Sequence, residues 1–176
     1  MRGACGAVLA VWLVVGACSE AVAQPPTSAG ANETRYRSPQ HRWSIVYPSA
    51  WTLTEGNPGA VRIKMPSDEG QCFVNAGPMP FKSTDEFTDL MLRGMSEGAK
   101  RQGWTLVVRA QQPITLPSGL TGNDVLTELQ SQIRTRQLHF LAGGRGYEVV
   151  CEVRVNDWDR LAPTLDRVLR SFSVER

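Results

Sequence analysis

Histidine is scarce: only His41 and His139 occur in 176 residues. A Ser-His-Asp triad must take its base from one of them, and no G-x-S-x-G elbow is present. His41 borders a proline-bearing segment, and His139 sits between Leu138 and Phe140 in a strand-like stretch. Neither C-x-x-C nor H-x-x-x-H spacing occurs, which removes the common zinc patterns. One-sided charge is missing too. The 19 Lys and Arg against 17 Asp and Glu leave +2, so no large field draws in nucleic acid or an anionic membrane. With 41% hydrophobic and 20% charged residues, collagen-like, coiled-coil and wholly disordered chains are excluded. The expectation for catalytic residues, metal ligands and cofactor is therefore none of each, and the chain reads as not an enzyme.

What is present first is an address. Residues 1–23 carry one basic residue, Arg2, then an apolar run from Ala7 to Gly16, then small residues at Ala21 and Ala23. This is the secretory-signal pattern, and the run is shorter than the about 20 residues a membrane span needs. A second reading overlaps it. Val15-Gly16-Ala17-Cys18 resembles a lipoprotein box, with cleavage before Cys18 and lipid on that residue. A third leaves the segment uncut. The first two place the protein outside the cytoplasm, in the periplasm or an equivalent space, and the second ties it to the membrane through Cys18.

Residues 24–40 hold three prolines and few large apolar side chains, which reads as a flexible linker. Residues 41–176 then read as one domain. Trp43, Ile45 and Tyr47 alternate with smaller or opposite-facing neighbours, as do Val61, Ile63 and Met65, and Cys72, Val74 and Ala76. Each is a strand signature. Ser83-Thr84-Asp85-Glu86 is a capping box ahead of a helix carrying Phe87, Leu90, Met91 and Met95, with Gly103 as its stop. Val-rich residues 104–111, and residues 120–132 and 133–141, give further strand regions, the last two with an unmarked bend between them. Gly143, Gly144 and Gly146 suit a hairpin turn. Tyr147, Val149, Cys151, Val153 and Val155 mark one face of a last long strand. Trp158, Leu161, Leu165, Val168, Leu169 and Phe172 recur at helical spacing. Strands, helix, strands, helix with short connections give an α+β fold, an antiparallel sheet packed between helices.

Two stretches resemble a known family. The opening His41–Trp51, HRWSIVYPSAW, is similar to the start of PsbP-like domains, and the closing VLRSFSVER to their terminal helix, with Ser171 and Phe172 in the Ser-Phe place. The resemblance implies an α/β/α sandwich over residues 41–175. Its matched positions are packing positions, so it implies no site residue.

Three features remain as candidates. Cys72 and Cys151 both fall on the inward parity of their strands. They form either a disulfide, worth about 4 kcal/mol by chain entropy, or two buried thiols, with a Cys-His metal site disfavoured by spacing. Arg134, Arg136, Arg145 and Arg154 gather around one hairpin. They offer a face for an anionic ligand or a partner, or simple cross-strand ion pairs with Glu128, Glu148 and Glu152. The expected role is a non-catalytic accessory module for another envelope component, acting through a sheet face or a groove beside the terminal helix. The alternative is a small-anion binder using the arginine face. Nucleic acid is not an expected partner.

Overall fold

The computed structural model describes residues 27–30, 32–56 and 59–175. The leader, both of its cleavage readings and Cys18 lie outside the described residues. The strands are β1 (Thr27–Gly30), β2 (Glu33–Arg37), β3 (Trp43–Pro48), β4 (Thr52–Glu55), β5 (Ala60–Lys64), β6 (Gly70–Pro78), β7 (Leu106–Thr115), β8 (Thr121–Leu129), β9 (Ile133–Ala142), β10 (Arg145–Arg154) and β11 (Ser173–Val174). The helices are α1 (Thr84–Arg101) and α2 (Trp158–Arg170). Seven strands form one antiparallel sheet in the order β4-β5-β6-β10-β9-β8-β7. A second sheet runs β1-β2-β3-β11. Helix α1 packs on one face of the large sheet, over β8 and β9. Helix α2 packs on β10 from the other face and touches β3. The expected sheet between helices is present, and the small sheet joins α2 on its side.

Strand parity decides what each face buries. Tyr147, Val149, Cys151 and Val153 of β10 enter a cluster with Leu165, Val168, Leu169 and Phe172 at the end of the chain. Trp43, Ile45 and Tyr47 enter the same cluster from the small sheet. Phe172 is its hinge point: the ring lies 5.9 Å from Trp43, 5.8 Å from Phe140 and 5.7 Å from Tyr147. Strand β3 and the C-terminal segment thus share one interior. Cys72 and Cys151 sit directly opposite each other on β6 and β10 and are joined by a disulfide, both fully buried.

Helix α1 starts where the sequence places it. The Ser83 hydroxyl accepts from the Glu86 amide at 3.2 Å, and the Glu86 carboxylate accepts from the Lys82 amide at 3.1 Å. Gly103 takes a positive φ of 71° after the last turn. Its face differs from the expected one in a single residue: Leu90 points outward and Thr88 is buried.

One expectation is corrected: the linker over 24–40 carries strands β1 and β2. Tyr36 of β2 is 7% exposed, its ring lies 5.3 Å from Trp43, and its hydroxyl donates to Glu55. A single apolar side chain anchors this strand, too weak a pattern to separate from a polar linker. The expected bend, unmarked in the sequence, is present as a tight hairpin between β8 and β9. Gln130 and Ser131 both adopt positive φ, 53° and 52°, where glycine or asparagine is the usual occupant.

Candidate functional site

The four arginines do not make one face. Strand β10 runs from Arg145 to Arg154, so nine steps of about 3.3 Å set these two about 30 Å apart. Arg154 is exposed at one end. At the other, Arg145 donates to His41 Nδ1 at 2.9 Å. Burial, then the Arg145 charge, holds His41 below its ordinary pKa, which keeps the ring a neutral acceptor. Arg134 donates to Glu128 at 3.0 Å and lies over the Trp158 ring. Glu128 also takes Arg109. Arg136 forks onto Asp124, at 2.7 Å and 3.0 Å, and reaches Asp166 of α2 at 2.7 Å. Hydrogen bonding to Asp124 leads the upward shift of the guanidinium. Burial of Asp166 opposes its ionisation, yet Arg170 and Arg136 together hold its carboxyl below the usual range. Arg134 and Arg136 are therefore each held by carboxylates of the fold, Arg134 sharing Glu128 with Arg109 and Arg136 sharing Asp166 with Arg170. They tie α2 to the sheet.

The opposite face of the large sheet, beneath α1, is polar and closed. Gln137, His139 and Thr127 are fully buried there, with Glu148 and Asn123 at 7%. Asn123 donates to Asp85 at 2.8 Å and Thr88 at 3.1 Å. His139 Nδ1 lies 3.1 Å from Thr88 Oγ1, and its ring meets Phe87 at 5.5 Å. Glu148 accepts from Asn75 at 2.8 Å, and its other oxygen stands 3.9 Å from His139 Nε2. Burial lowers His139 to about 4 and pushes the Glu148 carboxyl up. Asn123, His139 and Gln137 each contact a side chain of α1 and so help to position it. Among the described residues no three His, Cys, Asp or Glu side chains are placed to hold a metal ion. No described helix is long and apolar enough to cross a membrane.

An open concavity lies beside α2. Two adjoining hollows of about 190 Å³ and about 450 Å³ share Arg35, Val46, Arg167 and Ser171. One wall is the outward face of β2 and β3, where Arg35 pairs with Val46 across the strands. The other is the C-terminal half of α2, and Pro117 and Ser118 of the β7–β8 turn close one end. Ser171 joins the walls: its hydroxyl accepts from the Val46 amide at 2.8 Å and lies 3.1 Å from the Val46 carbonyl. Among the described residues the Arg35 guanidinium has one side-chain hydrogen bond, to Ser44 Oγ at 3.4 Å. Arg167 donates to the Pro163 carbonyl at 3.5 Å and to Thr164 Oγ1 at 3.2 Å. Among the described residues neither guanidinium meets a carboxylate. A groove beside the terminal helix is one of the two surfaces expected from the sequence, and these residues are not among those it marks. Arg35 fell in the expected linker, and Arg167 is one of several cations on a polar helix face.

No family model matches the sequence, and no curated protein matches it. Solved structures do. The solution structure of cyanobacterial PsbP (CyanoP) from Synechocystis sp. PCC 6803 aligns with a TM-score of 0.67 at 16% identity, over 85% of this chain and 98% of that chain. The fold is PsbP-like. A Mog1 mutant aligns at 0.58 and 10% identity, over 82% of this chain and 96% of its own. A protein of unknown function from Pseudomonas aeruginosa aligns at 0.52 and 15% identity, over 83% and 99%. At such identities the PsbP-like likeness is one of fold, and the chemistry of the groove must be argued from its own residues.

Proposed function

We propose that this PsbP-like domain is a non-catalytic, exported binding module that engages another envelope component along the α2 groove. The observation that carries the reading is the pair Arg35 and Arg167. They are two cations in an open concavity without a carboxylate partner among the described residues, whereas Arg134 and Arg136 each pair with a carboxylate of the fold. The signal-like leader supports export, and so does the buried Cys72–Cys151 bridge, since disulfides persist in oxidising compartments. The only two histidines support a non-catalytic role. One is sealed under α1 and the other is held by Arg145. On this reading a lipid on Cys18, where it is added, tethers the domain to the membrane and does not form part of the groove.

Affinity capture from envelope extract tests the proposal. Wild type is compared with the Arg35→Glu, Arg167→Glu double variant and with Arg154→Glu, whose charge lies outside the groove. The expected result is a partner retained by wild type and Arg154→Glu and lost by the double variant. Retention of every partner by the double variant overturns it, as does turnover of a metabolite by the purified protein.

A further inference from the structure

We infer that the α2 groove receives an extended acidic peptide segment of its partner. Carboxylates of that segment meet Arg35 and Arg167, and an apolar side chain seats over Val46 and Pro117. This rests on the groove being the working face and adds what it binds.

Charge is the first argument. Five side chains around the two hollows are ionic: Arg35, Arg167 and Arg170 against Glu33 and Asp166. Asp166 is already taken by Arg136 and Arg170, and no ion pair joins Glu33 to either Arg35 or Arg167. The lining is therefore short of negative charge. A guanidinium offers five N–H donors in a fixed fork. Neutral acceptors engage one atom of Arg35 and two of Arg167, which steadies each side chain and leaves donors for a carboxylate.

Shape is the second argument. A small-molecule site buries most of its ligand in a closed pocket. Here the hollows are open and share a wall along the helix, with Val46 lining both and Pro117 of the β7–β8 turn at one end. That trough fits a chain longer than one small anion. The backbone sets the mode of recognition. The free edge of β3 is taken by β11 through Ser173–Ser44 and Val174–Trp43 pairing, and the Ser171 hydroxyl occupies the next position at Val46. An incoming segment cannot add there as a strand, so its side chains must be what the groove reads.

The same forks would accept a phosphate, so the experiment separates the sources. The purified exported protein, labelled with nitrogen-15, is titrated with a capped Glu-Glu-Leu-Glu-Glu peptide, its Lys-for-Glu counterpart, inorganic phosphate and phosphatidylglycerol vesicles. The expected result is a shift of the Val46 and Ser171 amides with the acidic peptide alone. Its affinity should fall at least tenfold in Arg35→Glu, Arg167→Glu and stay within twofold in Arg154→Glu. Phosphate or vesicles displacing the peptide from these amides would overturn the peptide and leave the groove as the working face. So would the acidic peptide failing to bind while partner capture still depends on both arginines. Capture that ignores both arginines removes the reading beneath it. An unchanged near-ultraviolet circular dichroism spectrum shows that the double variant is folded.

Discussion

Acidification should unlock the sheet face beneath α1, and the size of the effect follows from one side chain. His139 is fully buried, with Thr88 and Phe87 as neighbours and no hydrogen bond to its Nε2 among the described residues. Burial lowers its pKa from 6.5 to about 4. A base whose pKa is depressed by folding takes up its proton first in the unfolded chain. Its contribution to stability is therefore complete above pH 6.5 and is lost as pH falls from 6.5 to about 4. At about 1.4 kcal/mol per pH unit the full loss is about 3 kcal/mol, and about 2 kcal/mol has gone by about pH 5. Glu148, 3.9 Å away, works in the opposite sense. Burial raises its pKa, so the native state takes up that proton early and regains stability as pH falls. His41, lowered by burial and Arg145, adds to the His139 trend. Urea unfolding between pH 7.5 and 5 should therefore show a shallow decline in wild type. The decline should be steeper in Glu148→Gln, which removes the compensation, and flatter in His139→Gln. Stability that instead rises toward pH 5 in wild type, and in neither variant, would mean a charged His139–Glu148 pair and would refute the reasoning.

Phe172→Ala should cost about 3–5 kcal/mol, because it empties the contact between Trp43, Phe140 and Tyr147; denaturant midpoints check it. Denatured, unreduced protein should give no thiol labelling at Cys72 or Cys151. Cys72→Ala with Cys151→Ala should lower stability by about 4 kcal/mol, given the separation of 79 residues. Arg136→Ala should cost about 2–4 kcal/mol by stranding Asp124, which is 7% exposed. Arg154→Ala, at an exposed strand end, should stay within about 0.5 kcal/mol.

Much of this fold is legible along the chain because burial repeats at the period of each element. The alternation Tyr147, Val149, Cys151, Val153 names the core face of β10, and with it the disulfide partner opposite Cys72. Ser83 and Glu86 announce α1, and the spacing from Leu161 to Phe172 announces α2. The features hardest to read have in common that they are settled by partners on another element. Strand β2 has one apolar anchor, Tyr36, whose partner Trp43 lies across a turn. The Gln130–Ser131 hairpin is imposed by the pairing of β8 with β9, not by turn residues. The arginines of β9 look free in sequence, yet Asp124 and Glu128 wait on the next strand and Asp166 on α2. The groove is illegible for the same reason, since Arg35 and Arg167 come from opposite ends of the chain.

The central claim is that the α2 groove, and not the α1 side or the β7 edge, meets the partner. A photo-crosslinking residue placed in turn at Ser118, at the groove's end, and at Val108, exposed on β7, tests it in intact cells. The account predicts one defined crosslinked species from position 118 and none from position 108. A species formed only from position 108 would contradict it.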